Sequence, residues 1–551
     1  MQPSHSYEDF IELTKLLVGQ PSITGTTGEV AIAEQIESWL KSLPYFCQFP
    51  QQVWTQPVPG DALGRKNVFA LVRATHVNTR TVVLHSHIDT VGVQDYGPLQ
   101  ELAFRPEPLQ EALLQSTRDE GVRAHAASPH WLFGRGSLDM KSGLAVQMKL
   151  IESWSQNPDA LPGNILLMAN PSEETHHGGM LAALSELLRL RDETGLQYLC
   201  AINSDYVTSE VPADETRYIY TGTTGKLLLN AYIRGRETHV GQAFKGFDPL
   251  MVLTELLQEM NYNTELVESA GDEVTQPPIA LYARDRKASY NVQTTGSASA
   301  YWNWYTLAAS PADVLTVATK HAEIAARRAE TRWQEHARRM NDLAGNEPTS
   351  VVPEKMPVYS FAEWYEQLPE PAQRRVDAVM ADNYTDLLDN LDLREVIQIM
   401  VDRAMDAAGG TTPVLLLYFT PPYLPHNYVQ AGTTDDDRVL QSLEEAARIV
   451  AHKHAEKLMV RRYFPYLSDS SFLRLMMQNN KIGSLMNNFP GWGNVFDIPL
   501  QQVEKLSIPA INLGVYGFDA HQPTERLYLP YSFGVLPELI REVVQRILVS
   551  D

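Results

Sequence analysis

Histidines and acids that could bind metal ions stand in five short segments of the chain. Four of these segments follow an apparent β-strand, and the fifth opens a helix after a glycine turn. The segments hold His87 and Asp89 in LHSHIDTV, Asp139 in GRGSLDMKSG, Glu173 and Glu174 in NPSEETHHGG, Asp205 in INSDYV, and His521 in YGFDAHQPTERL. Ligands of open α/β sheets bind beyond the carboxyl ends of the strands, so these distant segments could meet at one site.

Two histidines and several carboxylates form a mixed nitrogen and oxygen donor set. Such a set suits zinc, manganese or cobalt better than calcium, and zinc is the ion we expect. If one carboxylate bridges, two ions can lie about 3.5 to 4 Å apart, activate a water and polarise a carbonyl group. Taken singly, each motif is weak evidence, because such residues are more often solvated acids or hydrogen-bonded core histidines. The whole set predicts hydrolysis.

An alternation of strands and helices would position these side chains. Apolar residues spaced for one face predict helices over 6–17 and 29–43, and further helical patterns lie over 140–154 and 180–190. Short apolar runs bounded by turns predict strands over 67–72, 81–84, 164–169, 198–202 and 510–516. The pattern predicts an α/β fold with an open, mostly parallel sheet and helices on both faces.

The character of the sequence changes near residue 216. The next stretch predicts a strand over 226–234, a helix over 249–260, a polar, aromatic hairpin over 290–307 and a long helix over 310–339. Further helices extend to 408, and a strand over 413–419 precedes a return to the first domain. We therefore predict a catalytic metal-binding domain made of 1–215 and 429–551. An α+β lid domain is inserted at 216–428, with a helical insertion at about 310–408.

Composition and charge exclude several classes of protein. The formal charge of −22, from 67 acidic and 45 basic side chains, would repel nucleic acid and anionic lipid, so neither is expected as a partner. The N-terminal sequence lacks a signal-peptide pattern, and no stretch approaches the roughly 18 apolar residues of a membrane span. Cys47 and Cys200 are too few to staple the chain with disulfides. We expect a cytoplasmic protein that acts on a small molecule or short peptide.

Taken together and in this order, six segments resemble the M20 metallopeptidase family: HSHIDTV, GRGSLDMKSG, PSEETHHGG, NSD, GRETHVG and AHQPTE. The resemblance covers about residues 1–250 and 410–551. It implies a zinc exopeptidase-like (phosphorylase/hydrolase-like) fold with an inserted lid, and two divalent ions, zinc first, with cobalt or manganese as alternatives. The length and the later segments look most like the arginine-utilisation branch of that family.

The resemblance implies a role for each matching metal ligand. His87 would bind one metal ion and His521 the other, and Asp139 would bridge the two. Asp205 would complete the His87 site, and Glu174 would complete the His521 site. These assignments account for both histidines of the set.

Three further residues would act beside the ligands. Asp89 would orient His87 through the second ring nitrogen of that histidine. Glu173 matches the general base of the family, which takes a proton from water and passes it to the leaving nitrogen. His239, in GRETHVG, matches a histidine that stabilises the tetrahedral oxyanion.

Other candidates are set aside or left open. His85 shares the strand face of a proposed ligand and is expected in the core or behind the site, and the pair at 176–177 is expected in a turn. The family commonly carries an Asp-x-Arg motif whose arginine lies near the substrate carboxylate. The segment 290–305 lacks this motif. Arg284 or Arg286 would have to substitute for it.

These observations predict a metal hydrolase that cleaves an amide bond in a small molecule, such as an N-acyl amino acid or a short peptide. The resemblance and the acidic charge both favour a basic, arginine-related substrate. Two alternatives remain: a dipeptidase or aminopeptidase of the same family, and a catalytically silent binding protein that kept the fold. The protein would be either a self-closing monomer or a lid-mediated homodimer, in which His239 acts in the partner's site.

Overall fold

The computed structural model of the protein describes residues 6–76, 78–209, 211, 214–270, 273–345, 355–464, 468–476 and 479–549. The chain forms two compact units. The first unit comprises Met1–Thr223, Asn427–Leu475 and Pro499–Asp551, and the second comprises Thr224–His426 and Met476–Ile498. The sequence places the divisions after residues 215 and 428, and it leaves 476–498 in the first domain.

The strands range from two to eleven residues and are numbered in chain order: β1 Val53–Pro57, β2 Lys66–Val72, β3 Arg80–His87, β4 Trp131–Phe133, β5 Asn164–Asn170, β6 Gln197–Asn203, β7 Arg217–Tyr220, β8 Gly222–Thr223, β9 Gly225–Arg234, β10 Ser269–Ala270, β11 Glu273–Val274, β12 Ile279–Asp285, β13 Ser297–Thr306, β14 Val358–Ser360, β15 Val414–Leu424, β16 Asn427–Tyr428, β17 Leu458–Arg461, β18 Ala510–Asn512, β19 Gly517–Phe518 and β20 Arg526–Tyr528.

The α-helices are α1 Tyr7–Val18, α2 Gly28–Lys41, α3 Pro44–Gln48, α4 Pro106–Ser116, α5 Glu120–Ala126, α6 Lys141–Ser155, α7 Gly178–Thr194, α8 Pro249–Met260, α9 Pro311–Leu343, α10 Phe361–Gln367, α11 Glu370–Met380, α12 Thr385–Leu388, α13 Leu393–Ala408, α14 Thr434–His454, α15 Asn479–Asn487, α16 Leu500–Leu506, α17 Leu529–Gly534 and α18 Leu536–Val549. Short 3₁₀ helices lie at Pro50–Gln52, Gln94–Leu102, Pro158–Ala160, Val240–Lys245, Thr264–Leu266 and Ser471–Leu473. Within the described residues, no helix combines the length and apolar character needed to cross a membrane.

An eight-stranded mixed sheet is the centre of the first unit. Its order is β1-β2-β5-β3-β6-β18-β7-β17. The neighbours β5, β3, β6 and β18 run parallel, whereas β1, β2 and β5 pair in antiparallel fashion. Helices cover both sides of the sheet, which confirms the predicted α/β fold.

Buried residues hold the parallel part of this sheet in place. Seven of the eight residues of β3 are buried. The side-chain amide of Gln147, in α6, donates to the backbone carbonyls of His85 at 3.0 Å and Ile202 at 3.2 Å, which fixes α6 against the ends of β3 and β6. A Cβ at Gly143 would lie 2.1 Å from the backbone oxygen of Ser204, so the glycine of DMKSG permits this close approach.

The first unit also contains a smaller three-stranded sheet, in the order β19-β20-β4, and the two-stranded pair β16-β8. The pairs β19–β20 and β20–β4 are both antiparallel. The loop after β4 and the turn between β19 and β20 therefore lie side by side. A separate small core packs beneath this sheet and includes Tyr96, Leu109, Val122 and Trp131.

The second unit is built on a five-stranded sheet in the order β12-β13-β9-β15-β14. β9 pairs in antiparallel fashion with both β13 and β15. The long helix α9 begins at a capping box, in which the Ser310 side chain accepts from the Asp313 backbone and the Asp313 side chain accepts from the Ser310 backbone. Its buried face is rich in alanine, which allows close packing against α8 and the sheet.

Two strands differ from the prediction. The hairpin expected within 290–307 is formed instead by β12 and β13, and the stretch before β13 is a loop. β12 is an edge strand in which no residue is fully buried, so its apolar run IALYA does not lie in the core. β18 ends at Asn512, before the predicted end at 516, although Leu513 and Val515 keep backbone hydrogen bonds to Asn203 and Val207. A Cβ at Gly514 would lie 1.9 Å from the backbone oxygen of Asp205, so glycine permits this close approach.

Candidate metal centre

Three neighbouring parallel strands of the first unit end at the same edge of the sheet. His87 is the last residue of β3, the Glu173–Glu174 pair follows β5, and Asp205 follows β6. Because β5 and β6 both pair with β3 in parallel register, their carboxyl ends bring these side chains together.

Two residues reach this edge from the smaller sheet. Asp139 lies in the loop between β4 and α6, and His521 lies in the turn between β19 and β20. Asp519 and His521 have φ angles of 61° and 64°, in the left-handed region that residues other than glycine rarely adopt. The turn is therefore a specific backbone conformation and is tied to β4 by the pairing of β20.

The Asp139 carboxylate lies between two histidines. Its Oδ1 atom is 3.0 Å from Nε2 of His87, and its Oδ2 atom is 3.1 Å from Nε2 of His521. Each oxygen therefore faces one imidazole nitrogen. This is the arrangement of a carboxylate that can bridge two cations.

Further carboxylates complete a group around each histidine. Oε1 of Glu174 is 3.1 Å from Nε2 of His521, and Oδ2 of Asp205 is 3.9 Å from Nε2 of His87. In each of two sets of residues, the potential ligand atoms all lie within 4.8 Å of one another. The first set is His87, Asp139 and Glu174, and the second is His87, Asp205 and Asp469.

These groups fit divalent transition metals. Zinc bonds to imidazole and carboxylate are about 2.0 to 2.2 Å long, which puts two ligands of one ion about 3 to 4 Å apart. The distances from His87 and His521 to their carboxylates fall in that range. Most of these carboxylates are buried, where a negative charge needs a positive partner.

Electrostatics keep the Asp139 carboxylate ionised. Burial would raise the pKa of Asp139, but hydrogen bonds to His521 and His87 hold it below its usual range. Burial lowers the pKa of His521, yet its hydrogen bonds to Asp139 and Glu174 outweigh burial and raise that pKa to about 11. The pKa of His87 is likewise raised well above its usual value, because hydrogen bonds to Asp139 and Asp89 outweigh burial. The site thus favours positive charge beside Asp139.

Glu173 adjoins the ligand groups without belonging to either of them. Burial, and then the nearby Asp469 carboxylate, raise the pKa of Glu173 well above its usual value. Its Oε1 atom lies 3.7 Å from Nδ1 of His177, the residue that precedes α7. A carboxylate with a raised pKa beside the ligands has the properties of a proton acceptor that works near neutral pH.

Asp89 contacts both halves of the site. Its carboxylate accepts the backbone N–H groups of Glu173 at 3.0 Å and Glu174 at 3.1 Å. Nδ1 of His87 lies 3.0 Å from the backbone carbonyl oxygen of Asp89 and 3.6 Å from its carboxylate. Asp89 therefore touches the second ring nitrogen of His87 and also orders the glutamate pair.

Asp469 is a residue of the site that the sequence does not reveal. It is buried, and its Oδ2 atom accepts from the Asn203 side-chain amide at 2.9 Å. It lies in LSDSSF, which no strand or helix pattern precedes, so a lone acid among serines is the sole signal. The next residue, Ser470, lies 3.0 Å from Nε2 of His85, and burial lowers the pKa of that histidine to about 4. His85 belongs to neither ligand group.

His239 lies in the second unit and is exposed. Its Nδ1 atom accepts the backbone N–H of Gly241 at 3.0 Å, and its backbone pairs with Gln293. An imidazole that accepts at Nδ1 carries its proton on Nε2 when neutral. His239 can therefore present an N–H donor, and its role at the oxyanion stays a prediction.

The two arginines considered for a substrate carboxylate are both paired within the second unit. Nε of Arg286 lies 2.5 Å from the Asp402 carboxylate, and its Nη1 donates to Gln398 at 2.9 Å. Arg284 is about half exposed, with a longer contact of 3.5 Å to Glu395. Of the two, Arg284 is the more available to a ligand.

Comparisons with known proteins identify a family and a fold that this chain shares. A model of Peptidase family M20/M25/M40 matches residues 83–516. Protein RocB of Bacillus subtilis is 39% identical over 555 aligned positions, which cover 100% of this chain and 96% of RocB. Among solved structures, aminopeptidase PepT of Bacillus cereus aligns with a TM-score of 0.50 at 14% identity, over 98% of this chain and 99% of that one. The M20 family metallo-carboxypeptidase Sso-CP2 of Sulfolobus solfataricus aligns with a TM-score of 0.51 at 11% identity, over 98% and 99%.

Proposed function

We propose that this chain, which belongs to peptidase family M20/M25/M40, uses two metal ions to cleave an amide bond in a small molecule. Members of this family that match the chain support a metal-dependent hydrolase. The observation that carries this proposal is the Asp139 carboxylate, which faces His87 with one oxygen and His521 with the other. A carboxylate shared in this way can hold two ions close together.

Each ion would have one histidine, one further carboxylate and a share of Asp139. The first ion is assigned to His87 and Asp205, and the second ion to His521 and Glu174. Zn²⁺ is the ion proposed, with Co²⁺ or Mn²⁺ as alternatives, because the donor set mixes imidazole with carboxylate. When bound, such ions supply Lewis acidity toward water and toward the amide carbonyl.

The remaining chemistry would come from residues beside the ligands. Glu173 would take a proton from the attacking water and deliver it to the leaving nitrogen, for which its burial and raised pKa are suited. Asp89 would keep Glu173 in place through the backbone hydrogen bond at 3.0 Å. His239 would donate from Nε2 to the oxyanion.

The substrate we propose is an N-acyl amino acid or a short peptide, with an arginine-related compound as the first choice. The resemblance to the arginine-utilisation branch and the charge of −22 support a basic substrate, since an acidic protein attracts cations. The names of the two solved structures denote an aminopeptidase and a carboxypeptidase, so short peptides form the alternative class.

The test is hydrolysis of a panel of compounds by the metal-loaded protein, with products identified by mass. The panel contains N-acyl derivatives of arginine, ornithine and aspartate, and dipeptides with arginine at either end. Cleavage of an N-acyl arginine faster than its aspartate counterpart is the expected result. Preference for the dipeptides would favour a peptidase, and no cleavage of any compound by protein that binds two ions would contradict the proposed reaction.

A further inference from the structure

A buried ion pair stands behind the candidate metal centre and has no part in the roles proposed above. Glu525 is 0% exposed and Arg135 is 1% exposed. Oε2 of Glu525 accepts from Nη1 of Arg135 at 2.7 Å. Removing water from two charges is costly, so a buried pair is favourable only when its remaining hydrogen bonds are also made.

The other oxygen of Glu525 reaches the segment that carries the bridging carboxylate. Oε1 accepts the backbone N–H groups of Leu138 at 3.0 Å and Asp139 at 3.2 Å. The backbone carbonyl of Glu525 also accepts the N–H of Gly134 at 3.2 Å, at the start of the same loop. Glu525 therefore contacts both ends of the loop that carries Asp139.

Glu525 itself belongs to the turn that carries His521. Its backbone N–H donates to the carbonyl of Gln522 at 3.0 Å, which closes the turn just after that histidine. One residue thus joins the loop of Asp139 to the turn of His521. These are two of the three residues assigned to the second ion.

Arg135 is fixed on its other side. Its Nη2 atom donates to the Asp95 carboxylate at 2.8 Å, and its Nε atom donates to the carbonyl of Gly92 at 3.2 Å. Its guanidinium carbon lies 5.1 Å from the ring centre of Tyr96. Because Arg135 is held from several directions, it can hold the Glu525 carboxylate in one orientation.

We propose that Glu525 is a positioning residue for metal binding, which holds Asp139 and His521 at the separation that the second ion needs. The proposal rests on the two-ion assignment of the proposed function. Loss of a residue that supports metal ligands in this way typically weakens metal binding by about 10- to 100-fold. The second ion is expected to weaken more than the first, since two of its ligands depend on Glu525 and only one ligand of the first ion does.

The experiment measures Co²⁺ binding to the Glu525→Gln protein by calorimetry and by the visible absorption of the bound ions. Glu186→Gln is the matched control. Glu186 is also a mostly buried carboxylate of the first unit, paired with Arg189 at 2.9 Å and with the Trp54 indole at 2.7 Å, and it has no part in the site. Circular dichroism verifies that each variant is folded.

The expected result is that folded Glu525→Gln protein binds its second Co²⁺ about 10- to 100-fold more weakly, with an altered absorption band, while the control matches the wild type. If Glu525→Gln does not fold, the Arg135→Lys variant takes its place. Lysine keeps the positive charge but lacks the planar group with which Arg135 contacts Glu525 and Asp95 from two different nitrogens. A smaller loss at the second ion is then expected. Two ions bound with unchanged affinity in either folded variant would overturn the proposal but leave the proposed function intact, whereas a wild type that binds no ions would overturn both.

Discussion

Oδ2 of Asp139 lies 3.1 Å from Nε2 of His521, although the two residues belong to segments that are far apart in the sequence. The strands that join these segments are three or fewer residues long. The second ion would therefore take two of its three proposed ligands, Asp139 and His521, from the segments joined by a small sheet, whereas the first would take His87 and Asp205 from the ends of long parallel strands. The consequences of this division can be measured.

Glu173→Gln should lower turnover by about 10²- to 10⁴-fold, because an amide cannot take the proton of water. Metal content should not change, since Glu173 lies outside both ligand groups. Turnover and metal analysis of the same preparation check this, with Glu186→Gln as the control for loss of a buried carboxylate. Near-normal turnover would remove Glu173 from the mechanism.

Asp205→Asn and Asp469→Asn should weaken the first ion to different extents. Asp469 already accepts from Asn203 at 2.9 Å, so its removal should cost about 10- to 100-fold in affinity, as for a supporting residue. Removal of Asp205 should cost more, because that residue is the assigned ligand. Zn²⁺ competition with a chromophoric chelator measures both. Equal losses would make Asp469 a direct ligand as well.

His239→Ala should lower kcat by about 10²- to 10³-fold and change KM little, as expected for a donor that acts on the oxyanion. Steady-state kinetics on the best substrate measure the effect. The exposed His336, on α9 of the same unit, provides the control as His336→Ala. A raised KM with kcat unchanged would point instead to a role in binding the substrate.

Mixing His239→Ala protein with Glu173→Gln protein decides whether His239 acts within its own chain. We expect no recovery of activity and a monomeric mass by light scattering, because the helical material from α9 to α13 lengthens the proposed lid. Recovered activity would require that one chain donates its histidine to another, and it would establish a homodimer.

The pH dependence of stability should reflect His426. Burial lowers the pKa of His426 to about 4, and its surroundings in the second unit include Leu227, Thr306 and Tyr423. The unfolded chain therefore binds more protons than the folded chain between about pH 4 and 6.5, so stability rises with pH across that range and falls on acidification. The thermal midpoint of His426→Gln should fall less from pH 7 to pH 5 than that of the wild type. The exposed residue His452 provides the control, because His452→Gln should leave the change of the thermal midpoint with pH as it is in the wild type. The same unaltered change in His426→Gln would contradict an origin in His426.

The elements that carry the first ion follow from the sequence. Apolar runs mark β3, β5 and β6, and helical apolar patterns mark α6 and α7, so the parallel centre of the sheet is predictable. Long, buried elements give strong patterns because most of their residues contact the core.

The surroundings of the second ion do not follow in the same way. β19 and β20 are too short for any periodicity, and the turn at His521 depends on left-handed residues that are not glycine. Asp469 reaches the site through contacts between distant segments, which spacing along the chain cannot indicate. Glu525 stands four residues after His521 in AHQPTE, but its hydrogen bonds to Leu138 and Asp139 also join distant segments. Their discovery requires the tertiary structure.

Metal content tests the two-ion assignment most directly. Wild-type, His87→Ala, His521→Ala and Asp139→Ala proteins are loaded with Zn²⁺, dialysed and analysed for metal per chain. We expect two equivalents of Zn²⁺ per chain in the wild type and one in each histidine variant. In Asp139→Ala we expect fewer than two equivalents, and those that remain should be held loosely. Two full equivalents in any of the three variants, or one or none in the wild type, would contradict a centre in which Asp139 is shared between two ions.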